Sequence, residues 1–121
     1  MREITCSTIT DAIKKMCIEA ATILPQDVEK ALSQKHDEED SALAQKTLQV
    51  LMDNAKLAQE KQMPICQDTG MAFVYVTMGQ EVHITGGSLN EAIQEGVRQG
   101  YTEGYLRKSV VKDHLFERTN T

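Results

Sequence analysis

Tryptophan is absent, and three tyrosines and two phenylalanines are the only aromatics. A chain so short of rings has little with which to stack bases or sugars. No excess of positive charge is present either. The formal net charge is -5, so the basic stripe of a general nucleic-acid binder is missing. No apolar run approaches the roughly 20 residues that span a bilayer, and Met1-Arg2-Glu3 opens polar, without a signal-peptide core. Cysteine is scarce: Cys6, Cys17 and Cys66 are odd in number, far apart and without a CxxC pair, which excludes a disulfide framework. Free thiols of this kind suit a reducing cytosol, and a cytoplasmic protein without membrane or nucleic-acid partners is expected.

What is present is ordinary globular material. The 121 residues are 40% hydrophobic and 26% charged, enough for one domain with a modest core. Helical spacing of Ile9, Ile13, Met16, Cys17, Ala20 and Leu24 predicts a first helix, with Ser7, Thr8 or Thr10 as its cap. Pro25 breaks it. A short second helix around Val28, Ala31 and Leu32 is expected to dissolve into the polar run Gln34 to Asp40, a solvated acidic turn. From Ser41 to Lys61 a third helix is predicted, with Leu43, Thr47, Val50, Leu51, Asn54, Leu57 and Ala58 on its buried stripe. It ends before Pro64.

Periodicity then changes. Met71 to Met78 reads as a buried strand, and Gly79-Gln80 as a turn into a second strand, Val82 to Thr85. Ser88-Leu89-Asn90-Glu91 has the form of a capping box opening a helix to about Leu106. Within it Gly96, Gly100 and Gly104 recur at four-residue steps, each costing about 1 kcal/mol against alanine, so a close backbone neighbour is implied. The tail from Val110 is polar. The expected fold is α+β: a helical N-terminal part, its first and third helices packed together on a small antiparallel sheet, followed by a C-terminal helix.

Chemistry concentrates in Pro64-Ile65-Cys66-Gln67-Asp68-Thr69-Gly70, where a thiol, an amide and a carboxylate sit at the break between helix and strand. Cys6 and Cys17 fall on or beside an apolar helix face and read as small core residues. Cys66 sits among polar neighbours. A nucleophilic cysteine needs a histidine, but His36, His83 and His114 are equally explained by exposure. Spacing alone leaves nucleophile and metal ligand open.

The stretch from Pro64 onward resembles the N-terminal half of the iron-sulfur (class I) fumarate hydratase and L-tartrate dehydratase family, most closely the alpha subunit of the two-subunit form. Its matching pieces are Ile65-Cys66-Gln67-Asp68-Thr69-Gly70, the Thr85-Gly86-Gly87 turn, the Gly96 to Tyr105 helix, Leu106-Arg107-Lys108-Ser109 and Arg118-Thr119-Asn120-Thr121. The resemblance implies a lyase: a hydro-lyase that dehydrates a 2-hydroxydicarboxylate, malate to fumarate ahead of tartrate. It implies Cys66 as one of three cysteine ligands of a 4Fe-4S cluster. It also implies Gln67 and Asp68 facing substrate, Asp68 assisting proton transfer, and Arg107 pairing with a substrate carboxylate. The main base would come from a beta subunit.

Two further cluster cysteines are expected downstream of Cys66, whereas Cys6 and Cys17 precede it. Residues 1–121 are therefore expected to be a single domain, the N-terminal part of a longer alpha subunit, inactive and without its cluster in isolation. Such a piece is expected to form a homodimer through surface left uncovered beside the glycine face. The competing reading is a non-catalytic binding or assembly domain of the same fold.

Overall fold

The computed structural model describes residues 1–120 and is mostly helical. In chain order it holds β1 (Arg2–Thr5), α1 (Cys6–Thr22), α2 (Gln26–Glu38), α3 (Ala42–Lys61), β2 (Val82–Thr85) and α4 (Leu89–Glu103). The strands pair parallel in one two-stranded sheet, from Arg2 opposite Val82 to Thr5 opposite Thr85. This corrects the expected antiparallel sheet. A parallel pair needs a long crossover, supplied here by three helices.

The strand expected at Met71 to Met78 does not form, and the whole segment is exposed. Its neighbour is taken: the Arg2 N–H donates to the Glu81 carbonyl at 2.9 Å, opening the pairing of β2 with the N-terminus. A turn closed by Val82 N–H to the Gly79 carbonyl at 3.1 Å separates the two segments without pairing them. Among the described residues no backbone hydrogen bond reaches residues 71–78. Strand propensity is realised only against a partner.

Thr5 ends β1 and caps α1, its Oγ1 accepting from the Thr8 N–H at 3.3 Å, so the cap lies ahead of Ser7, Thr8 and Thr10. β2 leads into α4 in the same way, making two parallel β-α units side by side. Ser88 occupies the N-cap of α4 but its side chain makes no capping bond, so the expected box does not close. The Cys6 thiol instead approaches the Ser88 carbonyl at 3.8 Å.

The main packing is α1 against α4, not α1 against α3. The glycine face produces it. A Cβ added at Gly96 would stand 2.7 Å from Ile13 Cβ, one at Gly100 2.9 Å from Cys17 Cβ, and one at Gly104 2.9 Å from Ile18 Cγ1. Positions rise together along both helices, so the helices run parallel. The close neighbour of the glycine face is thus α1 of the same chain. Thr10 Oγ1 donates to the Ala92 carbonyl at 2.9 Å across this interface, and Lys14 pairs with Glu103 at 2.7 Å. Ile13, Ala92 and Leu106 are buried around it.

α2 and α3 form a helical hairpin. The polar run extends α2 to Glu38 instead of ending it, because Gln34 and Lys35 both reach the Glu38 carboxylate one turn on, at 2.7 and 2.6 Å. α3 is capped by Ser41, whose Oγ accepts from the Ala44 N–H at 3.4 Å. Its inward face is Ala44, Leu48, Met52, Ala55 and Ala58. Of the predicted stripe only Ala58 is buried; Leu43, Val50, Leu51 and Leu57 face solvent. The tail beyond Val110 folds on itself, with Val111 bridged antiparallel to Asn120.

Candidate active site

α3 stops at Gln62, which takes left-handed angles, φ 53° and ψ 45°, and its N–H closes back on Ala58 and Gln59. Pro64 follows. Ile65 is then pinned from two sides: its N–H donates to the Ala21 carbonyl of α1 at 2.9 Å, and its carbonyl accepts from Asn54 Nδ2 of α3 at 2.7 Å. The next residues leave the body. Cys66, Gln67 and Asp68 are exposed, and the Cys66 thiol donates locally to the Asp68 carbonyl at 3.2 Å. Gly70, at φ +62°, turns the chain, and its N–H donates to Asp68 Oδ1 at 3.2 Å.

The facing wall comes from the end of α4. Gly104 closes the helix, Tyr105 adopts φ 54°, and buried Leu106 anchors the chain so that Arg107 emerges exposed. Thr69 joins the walls, its Oγ1 donating to the Arg107 carbonyl at 2.8 Å. The Tyr101 hydroxyl lies 3.4 Å from both the Thr69 and Gly70 carbonyls.

Three of the expected site residues therefore share one place. Cys66, Gln67 and Arg107 line a surface cleft of about 360 Å³ with Pro64, Thr69 and Tyr105. Asp68 does not line it. Asp68 borders an apolar hollow of about 440 Å³ on the other side of the loop, where Cys66, Cys17 and Tyr101 also contribute. Burial pushes the Cys17 thiol up, away from the reactive thiolate, and pushes the Tyr101 phenol up as well, with the nearby Cys17 adding to it. Cys17 thus behaves as a packing residue. None of the histidines lines the cleft or the hollow.

The sequence pattern put Asn54 only on a buried stripe and Thr69 only inside the Cys66 motif, and it gave Tyr101 and Tyr105 no part in the site. Asn54 had a visible signal, an amide inside an apolar stripe. Tyr105 had none, since a left-handed tyrosine is unusual and shows only in the backbone.

The cleft brings together a thiol, an amide and a guanidinium, of which the guanidinium can pair with an anion and an exposed thiol can ligate a metal. A sequence profile described as fumarate hydratase (fumerase) matches residues 10–121. A Methanocaldococcus jannaschii protein with the provisional name L(+)-tartrate dehydratase subunit alpha is 36% identical over 93% of this chain and 39% of its own length. The L(+)-tartrate dehydratase subunit alpha of Escherichia coli K12 is 26% identical over 93% of the chain and 36% of its own. A Geobacillus stearothermophilus protein provisionally named fumarate hydratase class I is 31% identical over 84% of the chain and 20% of its own. The chain belongs to the fumarate hydratase (fumerase) family. It spans well under half the length of these relatives.

Proposed function

We propose that this chain is the N-terminal part of the alpha subunit of an iron-sulfur hydro-lyase that reversibly dehydrates a 2-hydroxydicarboxylate, working with a beta subunit in the cytoplasm. The observation that carries the reading is the convergence of Cys66, Gln67 and Arg107 on one cleft. Arg107 is exposed, and its planar fork suits a carboxylate of the substrate. Gln67 offers both a donor and an acceptor to the substrate hydroxyl or its second carboxylate. Asp68 holds the Gly70 N–H and does not line the cleft, so in this reading its part is to organise the loop that presents Cys66 and Gln67 and, with it, the base.

The described residues fit one ligand position of a 4Fe-4S cluster and not the set. Such clusters are held by several thiolates, and here Cys66 alone is exposed, with Cys6 and Cys17 built into other contacts. Among the described residues no three His, Cys, Asp or Glu side chains gather. When bound, the cluster supplies Lewis acidity toward the departing hydroxyl. The remaining ligands, and the main base, belong to polypeptide outside these residues.

Malate is the first substrate of this reading. Tartrate is the second, favoured by the names of the alpha-subunit relatives. Anaerobic assay of the complete alpha-beta pair on both substrates decides between them. Activity on neither would leave the binding or assembly domain. Arg107→Lys is expected to raise the Michaelis constant and lower turnover, with little change in melting temperature, because lysine cannot reproduce bidentate pairing. Unchanged kinetics would remove Arg107 from the site.

The chain alone is expected to form a homodimer through Met71 to Met78, whose apolar side chains and unpaired backbone face solvent, Phe73 at 72% and Tyr75 at 92% exposure. The glycine face is not available, being filled by α1. Sedimentation should show dimers that Val74→Lys with Val76→Lys returns to monomers. A parent chain that is monomeric across a wide concentration range would refute this.

A further inference from the structure

Arg107 and the Cys66 loop meet in the cleft although 41 positions apart in sequence, and among the described residues one side-chain hydrogen bond from the loop reaches Arg107 itself. We propose that Thr69 is the positioning residue of the cleft, its hydroxyl holding the backbone that bears the guanidinium against the loop that bears the thiol. The inference rests on reading Cys66, Gln67 and Arg107 as one site.

The geometry has three parts. The Thr69 Oγ1 to Arg107 carbonyl distance of 2.8 Å is that of a well-formed O–H···O bond, and Thr69 is partly shielded from water. Behind it, the Thr69 and Gly70 carbonyls face the Tyr101 hydroxyl, so the threonine is backed by α4 and not by solvent. In front of it, the side chains of Arg107 and Gln67 are exposed, with no hydrogen bond or ion pair among the described residues to set their place. Ile65 is fixed by Asn54 and Ala21, and Leu106 by burial, so both walls are firm one residue before the functional groups begin. Tyr101 ties the loop to the body of α4, and among the described residues Thr69 alone carries a side-chain hydrogen bond from the loop to Arg107 itself. Valine has its shape but no donor; serine keeps the donor.

The test uses the chain itself and the charge of a thiol reagent. A guanidinium held beside Cys66 favours anionic iodoacetate over neutral iodoacetamide, and the ratio of the two alkylation rates, read on the Cys66 peptide by mass spectrometry, reports that proximity. In the parent chain the ratio is expected to exceed that of Arg107→Gln by roughly threefold at low salt. Thr69→Val is expected to fall to the Arg107→Gln value, and Thr69→Ser to keep the parent ratio. Circular dichroism checks that both variants fold, and Thr69→Ala serves in place of valine if it does not. A parental ratio in Thr69→Val or Thr69→Ala overturns the positioning role while leaving the site standing. A parent ratio equal to that of Arg107→Gln instead removes the shared site, and the positioning role with it.

Discussion

Gly96→Leu is expected to abolish cooperative unfolding of the chain, and Gly96→Ala to lower its stability by about 2 kcal/mol. A Cβ at this position would meet Ile13 Cβ at 2.7 Å, the Thr10 carbonyl oxygen at 2.7 Å and Ile13 Cγ2 at 2.9 Å. The first two atoms are backbone or fixed to it, so no rotamer change relieves the contact. α1 and α4 must move apart. That separation also stretches the Thr10 to Ala92 hydrogen bond and uncovers buried Ile13 and Ala92. Alanine gains about 1 kcal/mol of helix propensity over glycine, while overpacking a rigid contact costs about 1–3 kcal/mol and more where backbone must yield. The packing loss wins. Gly79→Ala is the control, since its Cβ would meet only Val82 Cγ2, at an ordinary 3.9 Å. Urea titration followed by circular dichroism measures all three variants, and a Gly96→Ala chain as stable as the parent would show that the helices do not depend on this contact.

The helices were legible where the pattern was local. The spacing of Ile13 and Cys17 and the periodic run from Ser41 to Lys61 report local helix preference, and the structure realises both helices. Non-local pairing was not legible. β1 is four residues, three of them polar, that become a strand only because Val82 to Thr85 lies beside them, eighty positions away. Conversely, Met71 to Met78 has stronger strand propensity than either real strand but finds no strand partner among the described residues, so it stays unpaired there. α3 misled for a related reason. It has apolar residues on two faces, and periodicity cannot say that Leu48, Met52 and Ala55 pack while Val50 and Leu57 do not. Cys66, Gln67 and Arg107 were readable as types; that they meet depends on Thr69, Asn54 and the left-handed Tyr105, which no spacing reveals.

The same separation between scaffold and chemistry sets the expected behaviour of Cys66→Ser. Cys66 is exposed, lines the cleft, and makes one weak S–H···O contact with Asp68 at 3.2 Å. A serine hydroxyl can replace that contact within the loop, so the melting temperature of the 121-residue chain should stay within the shift expected of a surface change, about 0.5 kcal/mol in stability. Its chemistry cannot be replaced. Thiolates hold iron-sulfur clusters because soft sulfur matches iron, and a serine hydroxyl is a poor ligand that stays protonated at neutral pH. In the complete alpha-beta protein the variant should therefore lose iron and fall below about one per cent of parental turnover on malate and tartrate alike. Cys17→Ser should do the reverse. The Cys17 Cβ packs against Gly100 in the α1–α4 contact and its thiol is desolvated, so a hydroxyl there disturbs the scaffold, lowering melting temperature while leaving turnover per folded molecule intact. Iron content, turnover and thermal melting measured on both variants separate the two roles. A Cys66→Ser protein with unchanged iron and full activity would exclude Cys66 as a ligand and return the loop to the status of an anion-binding surface.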